Sequence, residues 1–238
     1  MKKILVIGSG KWGKIVLKKL KAIAEVKMVI NSKKNYKKIN TRFIDWVFIL
    51  TPDSKHFSMV KFFLDQKINI FCEKPLTNSY LRSLKLVKLA EKKKINLYID
   101  DVENYKKKKI KLKKENHIIR LKKSKGSIRS ILNRLTYHDL YLLSPYLSKL
   151  KNLKIKMIEK KKFLNFLIFN KNISFNFLYS LNSDKIEHSI NNLDLNNVKV
   201  DALTKMLNTV LYNKINYKKN HNESLFASKI IDNVRKKL

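Results

Sequence analysis

The stretch "VIGSGKWGKIV", residues 6–16, carries Gly8, Gly10 and Gly13, three of the four glycines in a chain of 238 residues. A backbone that uses glycine so rarely places it where a side chain cannot go. Before the stretch, "KILVIG" is an apolar run that ends in glycine, the pattern of a fully buried strand. After it, Ile15, Val16, Leu20 and Ile23 follow Trp12 at helical spacing. Strand, glycine turn and helix together are the setting in which Gly-x-Gly-x-x-Gly cradles a dinucleotide. The first glycine permits the tight turn, the second lets a pyrophosphate approach the backbone, and the third lets helix and strand pack closely. The helix N-terminus then offers free N–H groups and a partial positive charge to the phosphates.

Outward from this turn the alternation continues. "EVKMVIN" (25–31) and "DWVFILTP" (45–52) read as the second and third strands, and a helix follows at 55–66. Strand "INIFCEKP", helix "YLRSLKLVKLAEKKK" and strand "INLYID" complete the pattern near Asp101. Strands that alternate with helices imply an α/β fold, an N-terminal Rossmann doubly wound parallel sheet. Two of the three prolines, Pro52 and Pro75, end the third and fourth strands. Both lie at the carboxyl edge, where open α/β sheets bind ligands.

Past Asp101 the texture changes to a basic connector, "NYKKKKIKLKKEN". Strands are expected at 117–123, 153–159, 164–169, 173–181 and 185–190, interrupted by a helix at 132–150 and closed by helices at 201–213 and 223–237. Strands in succession with few crossovers imply a C-terminal α+β domain containing an open, mostly antiparallel sheet. The expected division is 1–103 for the dinucleotide-binding domain and 104–238 for the substrate and dimerisation domain.

The formal net charge is +36, from 54 Lys and Arg against 18 Asp and Glu. Only six of these bases are arginines, at 42, 82, 120, 129, 134 and 235. Interfaces that read phosphate and base edges favour the planar arginine fork, so specific nucleic-acid binding is not expected. Abundant lysine, asparagine and isoleucine beside scarce glycine and proline fit an AT-rich coding background. No zinc-ligand spacing is visible, and no metal site is expected. The single cysteine, Cys72, excludes an internal disulfide. The apolar run in "MKKILVIGSG" stops at Gly8, too short for a signal peptide, and no run approaches the roughly 20 residues that span a bilayer. The expectation is a cytoplasmic protein without a membrane partner.

Taken together, "GSGKWG" (8–13), "DWVFILTPDSKH" (45–56) and "CEKPLT" (72–77) resemble the Gfo/Idh/MocA family, named for glucose-fructose oxidoreductase and inositol dehydrogenase. In the second half "YHDLYLLSPYL" (137–147) is similar to the family's histidine-containing helix. The resemblance implies an NAD(P)-dependent oxidoreductase acting on a sugar, cyclitol or sugar-nucleotide hydroxyl or ketone. Lys74 would stand at the nicotinamide and the substrate, and His138 would exchange a proton with the reacting hydroxyl. Gly8, Gly10, Lys11, Trp12, Gly13, Thr51, Pro52, His56, Glu73 and Lys74 would line the cofactor. The family's second domain often carries a subunit interface, and a homodimer through the sheet face of "FLNFLIFNKNISFNFLYSL" (163–181) is expected.

Two positions depart from the family pattern. An aspartate usually lies four residues before the histidine and another acid three after it; this chain has Arg134 and Tyr141. Arg134, His138 and Asp139 are therefore the expected substrate contacts beside Lys74, with Asp139 as a substitute acid. The alternative is a dinucleotide-binding protein of the same family without turnover. At the end of the second strand the chain reads Asn31-Ser32-Lys33-Lys34, with no acid for the ribose hydroxyls of NAD. Ser32 and Lys33 suit a 2′-phosphate, so NADP is favoured over NAD.

Overall fold

The segment "KILVI" forms strand β1 (Lys3–Ile7), buried from Ile4 onward, as a central parallel strand covered on both faces must be. The computed structural model describes residues 1–31, 33–106, 109–160, 163–196 and 200–238, without the side chain of Arg129. Helix α1 (Lys11–Ile23) follows, and β2 (Glu25–Ile30), β3 (Trp46–Ile49), α2 (His56–Asp65), β4 (Asn69–Cys72), α3 (Tyr80–Lys93) and β5 (Leu97–Ile99) complete the alternation. All four strand pairs are parallel, in the order β2-β1-β3-β4-β5. Helix α1 buries Gly13, Val16 and Leu20, whereas Ile15, expected on the same stripe, is 44% exposed.

The second sheet begins with β6 (Glu115–Lys123). A helical stretch comes next: α4 (Ile128–Ile131), a π-helical turn at Leu132–Thr136 and α5 (Tyr137–Leu147). Strands β7 (Lys154–Glu159), β8 (Leu164–Phe169), β9 (Ser174–Ser180), β10 (Asn182–Ile190) and β11 (Leu193–Asp194) then complete a sheet ordered β11-β10-β6-β9-β8-β7. Every pairing is antiparallel except β6 with β9, which is parallel. β8 and β9 alternate strictly between buried and half-buried residues. Phe166, Phe177 and Tyr179 are wholly buried on the inner face, and the rings of Phe166 and Phe177 stack at 4.8 Å.

The expected boundary after residue 103 divides the chain only in part. One compact unit holds Met1–Tyr105 together with Asp201–Ser228; the other holds Lys106–Val200 and Lys229–Leu238. Helix α6 (Ala202–Tyr212) therefore returns to the first unit instead of completing the second. Its Leu203, Met206, Leu207, Val210 and Leu211 join Val16, Leu20, Phe48, Phe71 and Tyr98 in one apolar core. At the start of α7 (Tyr217–Arg235), Asn220 acts as an extra strand residue on the free edge of β5. Its Oδ1 accepts from Ile99 N at 3.0 Å and its Nδ2 donates to Ile99 O at 2.9 Å. The ring of His221 lies 2.7 Å from Leu97 O. An edge strand that would otherwise expose its backbone is thus closed by side chains, one of the standard protections against strand addition. Among the described residues no helix is long and apolar enough to cross a membrane.

Beside this edge lies a cavity of about 300 Å³, lined by Tyr98, Asp101, Asn104, Tyr105, Asn216 and Glu223 among others. Asn104 Nδ2 donates to both acids, at 3.3 Å to Asp101 and 3.1 Å to Glu223. Tyr98 also donates to Asp101. Burial pushes Asp101 up to about 6. Burial, reinforced by the charge of Asp101, pushes Glu223 up to about 7. A carboxyl with a raised folded-state pKa holds its proton longer folded than unfolded, so stability falls as pH rises from the unfolded value toward the folded one. For Glu223 that window runs from 4.5 to about 7. Glu223→Gln should therefore raise the melting temperature above the window and leave it nearly unchanged below it. Thermal unfolding at both ends of the window checks this, and an equal shift at both ends would contradict it.

Candidate functional site

The carboxyl edge of the parallel sheet gathers the glycine turn and the ends of β3, β4 and β5. Gly8 has φ +113°, and a Cβ there would lie 2.3 Å from Leu50 O. A Cβ on Gly13 would lie 2.2 Å from Gly8 O. The fold itself requires these two glycines, because backbone occupies the place of a side chain. Gly10 differs. Its φ is −67°, open to any residue, and a Cβ on it would meet nothing within 4 Å. No contact of the chain demands glycine there, while a phosphate seated on the first turn of α1 does demand a bare backbone. Gly10 is also the N-cap of α1 and supplies no side-chain cap, so the first-turn N–H groups face this opening. The residues present fit a dinucleotide.

Helix α1 is tied to the end of β4 by one hydrogen bond. Trp12 Nε1 donates to Glu73 Oε2 at 3.0 Å, so a residue of the glycine turn touches the Glu73-Lys74-Pro75 turn. Glu73 N donates to Ile49 O at 2.9 Å and Asp100 N to Cys72 O at 2.9 Å, which extends the sheet pairing to these strand ends. Asp100, not among the residues expected at the site, is fully buried against Glu73. Burial first, and then the charge of Glu73, pushes its carboxyl well above the usual range. Two adjacent acids ending an apolar strand, in a chain with so few acids, were the available signal. Lys74 is 9% exposed, and the peptide to Pro75 is cis.

His56, expected at the cofactor, has no exposed surface. Its Nδ1 lies 2.8 Å from Pro75 O and its Nε2 2.8 Å from Thr51 O. The ring therefore braces the two proline turns against each other and does not line the crevice; burial lowers its pKa while the two carbonyls pull it back up. Thr51 is also buried, with its hydroxyl 3.7 Å from Met59 Sδ, while Pro52 and Lys11 are exposed. At the end of β2, Asn31 Oδ1 accepts from the backbone N–H of Lys33 at 2.9 Å and of Lys34 at 3.1 Å, holding a turn with both lysines exposed. Ser32 lies outside the described residues.

The second unit holds the remaining candidates. Arg134 lies in the π-helical turn, with its guanidinium donating to Lys125 O at 2.8 Å and Ser124 Oγ at 3.4 Å, and His138 is half-buried on α5. Asp139, expected as a substitute acid, is instead wholly buried. It accepts from Tyr179 at 3.0 Å, and His188 Nε2 lies 2.6 Å away with Arg120 at 3.5 Å. Burial pushes its pKa up, but His188, Arg120 and Tyr179 outweigh that and hold the carboxyl below its usual range. On a helix, neighbours in sequence point about 100° apart, so Asp139 faces the core while His138 does not.

The contrast among the glycines gives a test. Gly13→Ala should destabilise the fold, since backbone must move to admit the Cβ. Gly10→Val should leave the melting temperature near that of the parent and lower dinucleotide affinity by orders of magnitude. Calorimetric titration with NADPH beside thermal unfolding checks both, and undiminished binding by Gly10→Val would overturn the assignment of the turn.

Comparison with known proteins agrees with this geometry. Residues 18–100 match the model of the Gfo/Idh/MocA family, described as an oxidoreductase family with an NAD-binding Rossmann fold. The match includes Pro52, His56 and Glu73-Lys74-Pro75 and begins beyond the glycines. The oxidoreductase YgjR of Escherichia coli K12, itself uncharacterized, is 53% identical over 36 residues, a stretch that spans 15% of this chain and only 11% of that protein. Among solved structures, the UDP-N-acetylglucosamine 3-dehydrogenase GnnA of Acidithiobacillus ferrooxidans superposes with a TM-score of 0.80 at 17% identity, covering 98% of this chain and 96% of that one. The WlbA dehydrogenase of Thermus thermophilus, solved with NAD and UDP-GlcNAcA, gives 0.74 at 11% identity, with 97% and 95% covered. At such identities the structural likeness speaks for the two-domain fold alone. Residues 18–100 thus carry the pattern of the Gfo/Idh/MocA oxidoreductase family, and the chain shares the two-domain fold of these solved structures along nearly its whole length.

Proposed function

We propose that the protein is an NAD(P)-dependent oxidoreductase acting on a hydroxyl or ketone of a sugar, cyclitol or sugar nucleotide, with NADP as the preferred cofactor. The observation that carries the reading is the Trp12–Glu73 hydrogen bond, which joins the open Gly10 turn to the residue preceding Lys74. When bound, the nicotinamide supplies or accepts the hydride. Lys74, held between a buried strand and Pro75, donates a hydrogen bond to the reacting oxygen. His138 takes the hydroxyl proton on oxidation and returns it on reduction, work for which an imidazole with an ordinary pKa of about 6.5 is suited near neutrality. Exposed Lys33 and Lys34 meet the 2′-phosphate. Sugar nucleotides are supported by two proteins that share the fold, GnnA, a UDP-N-acetylglucosamine 3-dehydrogenase, and WlbA, solved with UDP-GlcNAcA.

A second reading, dinucleotide binding without turnover, draws support from the burial of Asp139 and from Arg134 standing where the family has an acid. Kinetics separate the two. Lys74→Ala should abolish turnover with cofactor affinity largely kept, and His138→Ala should lower turnover roughly 10²- to 10⁴-fold and remove the inflection of the pH profile near neutrality. Lys33→Ala with Lys34→Ala should weaken NADP selectively and spare NAD. Full activity in both catalytic variants would defeat the assignment. A parent that binds NADPH yet turns over no member of a broad sugar and sugar-nucleotide panel would favour the second reading.

The reading includes a homodimer through the outer face of the second sheet. Leu167 and Leu178 are half-buried there, and the amide oxygens of Asn165 and Asn176 are buried without a hydrogen-bond partner among the described residues. A second copy would cover the leucines. Sedimentation at micromolar concentration should give the dimer mass, and a monomer would reject the interface.

A further inference from the structure

The cavity beside β5 is a place where the fold withdraws acids from water without setting a buried base next to them. It holds about 300 Å³, the lower end of the range for small-molecule sites. Every residue lining it belongs to the first unit, and none belongs to the glycine turn or to the Glu73-Lys74-Pro75 turn. Tyr98, Asp101 and Glu223 are buried and form its floor, Tyr105 and Ile215 are half-buried, and Lys214 and Lys219 stand exposed at its mouth.

The floor is rich in acceptors. Asp101 takes hydrogen bonds from neutral donors, the Tyr98 hydroxyl and the Asn104 amide, and forms no ion pair among the described residues. Glu223 is 7% exposed. Its Oε2 accepts from Asn104, while Oε1 accepts no hydrogen bond among the described residues. Its ion-pair partner there is Lys219 Nζ, 3.8 Å from Oε1, on a side chain 66% exposed. Both acids accept from the same Asn104 nitrogen, which keeps their oxygens close enough to share one ligand group. The Tyr98 and Tyr105 hydroxyls lie 3.1 Å apart, and both residues line the cavity.

Carboxylates beside phenol rings hold an ammonium group by charge, by hydrogen bonding and by the negative face of the ring. A divalent metal is the poorer occupant, since among the described residues no three His, Cys, Asp or Glu side chains gather to hold one. A neutral ligand would leave the carboxylates uncompensated where burial already makes them costly to ionise.

We infer that this cavity binds a small organic amine, with its ammonium group between Asp101 and Glu223 and its carbon skeleton against Tyr98, Tyr105 and Ile215. Lys219 is the resident cation that the ligand displaces from Glu223. The site is a second one, independent of the oxidoreductase reading.

The test is calorimetric titration of the full chain in an amine-free buffer at pH 8 and physiological ionic strength. Tyramine and putrescine are the probes, and 4-ethylphenol and 1,4-butanediol are their counterparts without the charge. A chain of net charge +36 repels cations in general, so saturable binding of one reports a built site. At least one amine should bind 1:1, about tenfold or more tighter than its counterpart. Asp101→Asn and Glu223→Gln should each weaken it about tenfold or more, and Asp184→Asn, exposed on β10, should leave it unchanged. Lys219→Gln removes the competing cation and should tighten it severalfold, a gain that misfolding cannot produce. Carboxyls pushed up to about 6 and about 7 are mostly protonated at pH 5, so affinity should fall about tenfold or more from pH 8 to pH 5 while both amines stay charged. Of the other titratable groups lining the cavity, Tyr98 and Tyr105 are pushed higher by burial, and Lys214 and Lys219 are the cations at the mouth. No saturable amine binding, equal binding of the uncharged counterparts, or an affinity indifferent to both Asp101→Asn and Glu223→Gln overturns the proposal.

Discussion

The carbonyl of Gly8 occupies the space that a Cβ on Gly13 would fill, and Leu50 O occupies the space of a Cβ on Gly8. These two close approaches set how near α1 comes to β1 and β3, and the rest of the first unit is arranged around that distance. With α1 so close, Val16 and Leu20 reach Phe48 in the common core, and α6 lays Met206 and Leu207 into the same cluster. Trp12 is carried to the end of β4, where it finds Glu73. Gly10, close in sequence to both constraints, is left beside open space at the N-terminus of α1.

The Rossmann half was legible because each of its signals has a single physical meaning. An apolar run buried on both faces, a glycine turn and a helical stripe leave little choice of arrangement, and strands and helices fall within a few residues of their expected bounds. In the second half, alternation in "LNFLIF" and "SFNFLYS" marked β8 and β9 directly, since a half-covered strand reports its own period. Pairing was another matter. Nothing local says that β6 joins β9 in parallel, or that α6 packs against α1 instead of the sheet that precedes it, because both depend on contacts far apart in the chain.

The site was legible in the same proportion. Glycines and prolines mark backbone geometry, and backbone geometry is what the Rossmann crevice is made of. Side-chain direction is less visible. His56 reads as a crevice residue, yet its ring is consumed by the carbonyls of Thr51 and Pro75. Asp139 sits beside His138 in sequence and faces the core, where Tyr179, His188 and Arg120 come from strands that no spacing rule connects to α5. The π-helical turn that holds Arg134 adds a residue within the helical stretch and re-aims the side chains of α5 beyond it, and such turns have no composition of their own.

Charge has to be read against this background. A net +36 says little about any single lysine, because lysine is what the chain uses wherever a solvated residue will do. The informative residues are those the background disfavours. Of 18 acids, Glu73, Asp100, Asp101, Asp139 and Glu223 sit in polar clusters with named partners, and each is at least partly withdrawn from solvent. An acid withdrawn from water in so basic a chain is retained only where its partners compensate the desolvation. Glu73 accepts from the Trp12 indole and Asp100 from the Val102 N–H, and Asp139 gathers a histidine, a tyrosine and an arginine.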